Sequence, residues 1–300
     1  YNIMRIEIIG AGAVGLLVAS YFAEKNMDVY IVGKPTGETV CKDIQIERTN
    51  VNQSVTSVNV KYISALSNKA NLIIVAVKYG QLHEVYASME HVKDSIPLLF
   101  LQNGLAHYEE ALALSKTHIA FSSIQFGALK FSEHHVAHKG EGMMKIAVAK
   151  GAGSEFSFLN GLSSAELPIV FEQDAEKMLM EKALLNCFIN PLTAILQVKN
   201  GQLITQSHTL QLLKDLYNEL VTAFPQFKET FHFNQVIALC EKTAENTSSM
   251  LADRLANRKT EIDTIAGAIL KKAEQNEKKL PVLQTLYYLV KAFEESGEQM

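Results

Sequence analysis

Three hundred residues, 48% of them hydrophobic, can bury one large core or two modest ones, and the length favours two domains. A net charge of −4 and a pI near 6.2, with Lys and Arg scattered rather than gathered in a stripe, exclude a strongly basic nucleic-acid-binding surface. No uninterrupted apolar run reaches about 18 residues and no charged-then-apolar leader opens the chain, so a soluble cytoplasmic protein without a membrane span is expected.

Tyr1-Asn2-Ile3 precede Met4, which reads as the natural first residue. Arg5–Ile9 is a short apolar strand that runs into Gly10-Ala11-Gly12-Ala13-Val14-Gly15, and Leu16–Lys25 continues as a helix. A GxGxxG turn between a strand and a helix is built for a dinucleotide. The first glycine allows the tight turn, the second lets backbone approach a pyrophosphate, and the third lets the helix pack on the strand. A second strand, Val29–Val32, ends at Gly33-Lys34, where an NAD enzyme usually carries a carboxylate for the ribose hydroxyls. Lys34 there favours the 2′-phosphate of NADP(H), with a solvated loop lysine as the plain alternative, and Glu38 lies too far along to serve as the acid.

Residues 43–60 alternate polar and apolar, which predicts small antiparallel strands inserted after the second strand. Asn71–Val77 and Pro97–Leu101 are fully apolar, as strands inside a parallel sheet are, and they end at Lys78 and at Gln102-Asn103-Gly104. Open α/β sheets hold cofactors at such strand ends, so Lys78 and Asn103 are cofactor candidates, against the alternative of solvated strand-end groups. Short strands follow at Ile119–Ser123, Gly127–Lys130 and Met144–Val148, with His134, His135 and His138 in a turn or hairpin. These histidines have no carboxylate or cysteine at ligand spacing, so no metal is expected. Cys41, Cys187 and Cys240 are too far apart for a disulfide framework or a cysteine metal site. A helix near Glu155–Leu162 and a last strand, Pro168–Phe171, complete the first domain, 1–173.

The second domain, 174–300, reads as helices throughout. Asp174 is the candidate N-cap of a helix that reaches Gln197, with a kink expected at Pro191. Further helices are predicted at Ser207–Thr222, Asn234–Glu245, Ser249–Ala256, Thr260–Lys272 and Pro281–Glu294. Within the first of these helices, Lys182, Asn186 and Asn190 recur every four residues in otherwise apolar sequence. Each step of four turns about 400°, so the three side chains share one face and drift by only about 80° over about 12 Å. Buried polar groups need partners, which are other side chains, water or a ligand. An ammonium without a counter-charge is the costliest of them, and that favours a polar ligand.

Taken together, GAGAVG, Val77-Lys78, Gln102-Asn103-Gly104, Lys182-x3-Asn186-x3-Asn190-Pro-Leu-Thr193, Asn200-Gly201, Ala244-Glu-Asn246-x-Ser-Ser249-Met and Arg258-x-Thr260-Glu261-Ile-Asp263 resemble the ketopantoate reductases. The resemblance spans nearly the whole chain. It implies an α/β Rossmann-type N-terminal domain followed by an all-α C-terminal domain, with the active site in the cleft between them. It also implies NADPH-dependent reduction of 2-dehydropantoate to (R)-pantoate on the route to pantothenate and coenzyme A. By position, Lys182 would be the general acid and Glu261 a carboxylate near substrate and cofactor. Asn103, Asn186, Asn190, Asn200, Asn246 and Ser249 would contact substrate, while Gly10 to Gly15, Lys34, Lys78, Asn103, Ala128 and Glu261 would contact cofactor. Lys34 stands where the family often has Arg, which keeps the charge but loses the planar fork. The expected partners are a small-molecule 2-keto acid and a second copy of the chain, with neither nucleic acid nor membrane. A reductase of another branched 2-keto acid, or a non-catalytic NADP(H) sensor, are the alternatives.

Overall fold

The computed structural model describes residues 3–33, 40–229 and 231–297, so Lys34 and Glu38 lie outside the described residues. Contacts divide the chain into two units, Tyr1–Gln102 with His107–Met178, and Asn103–Ala106 with Leu179–Met300. Against the expected boundary at 173/174, this division falls inside a helix and gives a four-residue loop of the first half to the second unit.

The first unit is built on one eleven-stranded sheet. Its strands are β1 Arg5–Ile9, β2 Asp28–Val32, β3 Cys41–Thr49, β4 Val55–Ile63, β5 Leu72–Val75, β6 Leu98–Phe100, β7 Ile119–Ile124, β8 Gly127–Lys130, β9 His135–Lys139, β10 Met144–Lys150 and β11 Ile169–Glu172. They lie in the order β11-β10-β7-β6-β5-β1-β2-β4-β3-β9-β8. From β4 to β7 every neighbouring pair is parallel. That order is the doubly wound one, and the chain reverses direction across the sheet between β1 and β5. The residues of β5 and β6 are all buried, as apolar parallel strands covered on both faces must be. Glu7, fully buried in β1, is satisfied by Arg5 Nε and by the Ser67 amide and hydroxyl.

Helix α1, Ala13–Glu24, is apolar nearly all round and buried from Gly15 to Phe22. The predicted insertion after β2 is a nine-residue-per-strand hairpin, β3 with β4, that continues the main sheet, because β4 pairs parallel with β2. The histidine segment forms the β8–β9 hairpin. His135 Nε2 shares a hydrogen with Thr49 Oγ1 and His138 Nδ1 with Tyr21 Oη. Burial, and then the charge of Arg48, lower the pKa of His138. Among the described residues no three His, Cys, Asp or Glu converge on a point. The helix expected near 155–162 is instead a run of 3-10 turns, Gly153–Leu162. Ser157 and Asn160 bond carbonyls three residues back, which competes with an i→i−4 ladder.

Short helices α2, Leu82–Ser88, and α3, His107–Leu112, complete the α/β unit. At the start of α3, His107 is fully buried against Phe100 and Phe121, and among the described residues neither ring nitrogen has a hydrogen-bond partner. Burial lowers its pKa to about 4. The unfolded chain, with an ordinary histidine, therefore binds the proton more tightly, so stability is full above about 6.5 and falls as pH drops toward 4. Across that window the wild type should lose about 3 kcal/mol more than His107→Leu, measured by urea unfolding at stepped pH. Parallel pH curves for the two proteins would remove His107 as the cause.

The second unit is helical: most of α4 Ala175–Leu196, then α5 Gln202–Thr205, α6 Ser207–Ala223, α7 Phe233–Lys242, α8 Ser249–Leu255, α9 Ala268–Gln275 and α10 Pro281–Gly297. Asp174 caps α4 as predicted, its carboxylate accepting from the Lys177 amide at 2.9 Å. Pro191 sits within α4 without ending it. By length and hydropathy alone α4 is long and apolar enough to cross a membrane, yet 67% of its apolar window is buried within the fold, as in a core helix. Ahead of α9 the chain makes a π turn, Asp263–Gly267, where an ordinary helix was expected. The Thr264 carbonyl there accepts from the Leu105 amide, a bond outside the helix that displaces the local ladder.

Candidate active site

In the first unit the glycine turn lies where β1 ends, at the point of reversal in strand order. Gly10 has φ +111, and a Cβ there would stand 2.9 Å from the Ala76 carbonyl group. A Cβ on Gly15 would lie 2.1 Å from the Gly10 carbonyl oxygen, so the third glycine seats α1 on the turn. Gly12 is different: none of the described residues lies within 4 Å of a Cβ built on it, which leaves open space above the N-terminus of α1. Among the described residues no side chain caps that terminus and no acid occupies its first turn, so its amides and positive dipole end can meet an anion. The turn opens on a cavity of about 760 Å³, lined among others by Gly10, Ala11, Gly12, Gly33, Lys78 and Lys130. Ala13, Val14 and Ala128 pack against the core beside it. An open cradle over Gly12 and a cavity of this size fit a dinucleotide.

In the second unit the ladder falls on α4. Asn190 is buried, Lys182 and Asn186 are partly buried, and among the described residues none of the three side chains makes a hydrogen bond. Desolvation lowers the Lys182 pKa below its ordinary 10.5. One turn beyond Asn190, Thr193 Oγ1 donates to the Ile189 carbonyl and meets the Ser248 hydroxyl at 2.7 Å. Ser248 also caps α8 by accepting from the Leu251 amide. Thus Ser248 is the buried joint, while the neighbouring Ser249 and Asn246 are exposed. Asn200 is buried, its side-chain Nδ2 donating to Thr243 Oγ1 and its side-chain oxygen without a partner among the described residues. Gly201 packs so closely on Ala244 that a Cβ would lie 2.6 Å from the alanine methyl.

Glu261 precedes the π turn and accepts from Asn103 Nδ2 at 3.3 Å. Both flanks of Glu261 are held by α10: Thr260 donates its amide and its hydroxyl to Glu294, and Asp263 accepts from Tyr287 and Lys291. These charges at Glu294 and Lys291 carry no sequence signal, because they lie far along the chain from the motif they support.

The profile described as "Ketopantoate reductase PanE/ApbA" matches residues 6–151, and that described as "Ketopantoate reductase PanE/ApbA C terminal" matches residues 174–294. The chain belongs to the ketopantoate reductase family. Among its relatives in the family, a 2-dehydropantoate 2-reductase of Listeria innocua is 33% identical, with 98% of each chain covered. One from Bacillus subtilis is 32% identical over 99% of this chain and all of its own length. The crystal structure of a probable 2-dehydropantoate 2-reductase from Bacillus subtilis superposes with a TM-score of 0.84 at 31% identity, covering 97% of this chain and 100% of that one.

For this member of the family, the structure brings the predicted residues together in groups. Gly10, Ala11, Gly12 and Lys78 share one cavity, and Asn103 pairs with Glu261. Asn200 lies against the 243–246 segment, its amide bonded to the Asn246 carbonyl. Ala128 is a packing residue of β8, and among the described residues no hydrogen bond or ion pair joins Lys182 to Glu261. Sequence motifs assign no role to Lys130, Ser248 or Glu294. For Ser248 a signal was present, since in Ser248-Ser249 either serine can cap the helix that follows.

Proposed function

We propose that this chain reduces 2-dehydropantoate to (R)-pantoate with NADPH, the reductive step toward pantothenate and coenzyme A, with Lys182 as general acid. The observation that carries this reading is the ladder on α4: an ammonium and two amides on one helical face, none with a protein partner among the described residues. Such groups are costly to desolvate unless a ligand supplies their bonds. Gly10, Ala11 and Gly12 would hold the cofactor's diphosphate, and Lys78 and Asn103 its nicotinamide half. When bound, the reduced cofactor supplies the hydride. The residues of the chain do the rest. Lys182 donates to the substrate's keto oxygen, stabilises the negative charge that grows there, and transfers its proton. Its lowered pKa brings the ammonium closer to the strength useful for an acid at neutral pH. Asn186 and Asn190 offer neutral donors and acceptors to the carboxylate and hydroxyl without neutralising Lys182, and Asn200, Asn246 and Ser249 extend the polar lining. Glu261, oriented by Asn103, accepts from a substrate hydroxyl.

NADPH over NADH is the finer part of this reading and rests on the missing acid after β2. A homodimer belongs to it as well, as in the dimeric ketopantoate reductase of Staphylococcus aureus, and the mass in solution tests it. The deciding experiment follows NADPH oxidation with 2-dehydropantoate and with 2-ketoisovalerate, which lacks the hydroxyl. A site that grips the hydroxyl should favour the former by about 10²-fold or more in kcat/KM. Equal values would point to a different branched 2-keto acid, and cofactor binding without turnover on any of them would point to a sensor.

A further inference from the structure

We infer that Lys130 is a cofactor-positioning residue that meets the diphosphate of the bound dinucleotide; this rests on the reading of the first unit's cavity as the cofactor site. Lys130 closes the edge strand β8, and its Nζ donates to the Ala11 carbonyl at 2.7 Å. Ala128 and Lys130 are two residues apart on a strand and so share a face. On that face Ala128 packs against the core that includes α1, which lays the strand beside the start of the helix and lets the longer Lys130 side chain reach the glycine turn.

Three properties of the contact point to an anion. An ammonium carries three hydrogens, and Ala11 takes one; the other two have no partner among the described residues. Lys130 lines the same cavity as Gly10, Ala11 and Gly12, so the spare donors sit beside the open space over Gly12. The bonded carbonyl of Ala11 also belongs to the peptide whose N–H is that of Gly12. A cation on the oxygen polarises that peptide and makes its N–H a stronger donor to phosphate. A surface lysine in water needs none of these features, and a purely structural tie would be served equally by a neutral donor.

The test measures dissociation constants of NADPH, NADH, ADP-ribose and adenosine 2′-monophosphate for the full-length wild type, Lys130→Met and Lys130→Arg. The three diphosphate ligands should bind Lys130→Met about tenfold more weakly, the size expected of one solvent-accessible charge-assisted bond. Adenosine 2′-monophosphate, which has no diphosphate, should bind both proteins alike. Lys130→Arg should recover most of the loss, and all three proteins should melt together because the side chain is exposed. Unchanged ADP-ribose affinity in Lys130→Met overturns the inference alone. A loss confined to NADPH and adenosine 2′-monophosphate also overturns it, by moving the contact to the 2′-phosphate. Failure of the wild type to bind any dinucleotide would sink the cofactor reading and this inference with it.

Discussion

Lys182→Ala is expected to lower kcat by about 10²–10⁴-fold, the usual contribution of a general acid. The same residue should leave two further marks. Its folded-state pKa lies below 10.5 because the ammonium is desolvated, so kcat should decline with rising pH at a value below that of a free lysine. Lys182→Arg keeps a cation but holds its proton too tightly to transfer it, so it should retain part of the rate and lose the alkaline decline. Stability moves the other way. With the folded pKa depressed, the unfolded chain binds the proton more strongly, and the protein gains stability as pH rises from the folded value toward 10.5. Lys182→Met removes an unpaired desolvated charge, so at neutral pH it should be more stable by about 1 kcal/mol, the trade-off common at functional sites. Steady-state kinetics across pH, together with urea unfolding of the three variants, measures all of this. Wild-type turnover in Lys182→Ala would end the proposed mechanism.

Gly104→Ala carries the second large effect. Gly104 has φ +84, and a Cβ there would lie 2.2 Å from the Thr264 carbonyl oxygen. The left-handed backbone costs a non-glycine residue about 1–2 kcal/mol. Relieving the backbone collision adds about 1–3 kcal/mol, so a total near 3 kcal/mol is expected in urea unfolding. The collision also falls on a joint of the proposed site. Leu105 donates to that same Thr264 carbonyl, and the adjacent Asn103 donates to Glu261, so the loop cannot back away without moving both. A displacement of about 1 Å in such a group costs about 10²-fold in kcat/KM. Wild-type stability would show that the loop has room to yield. Wild-type kcat/KM in a destabilised variant would show that Asn103 and Glu261 do not need each other.

Part of this site is legible in local sequence. The glycine turn could be read because much of it is local: Gly15 answers to the Gly10 carbonyl within the turn, and the flanking strand and helix are contiguous with it. The Asp174 cap and the face shared by Lys182, Asn186 and Asn190 were equally local, following from helix geometry alone. The extents of β3, β4 and the π turn were not, because each is set by partners that the chain brings in from elsewhere. Which of Ser248 and Ser249 is buried is likewise beyond local sequence, since only the approach of Thr193 decides it.

Residue types and their short-range spacing thus dictated the doubly wound strand pattern, the phosphate-ready turn and the polar face of α4, because those depend on dihedral preferences and periodicity that a few neighbouring residues carry. Long-range packing alone brought Lys130 to Ala11 across 119 residues and Asn103 to Glu261 across 158. No periodicity encodes such pairs: their distances come from burying the whole apolar core at once, which leaves polar side chains from remote segments within hydrogen-bond reach.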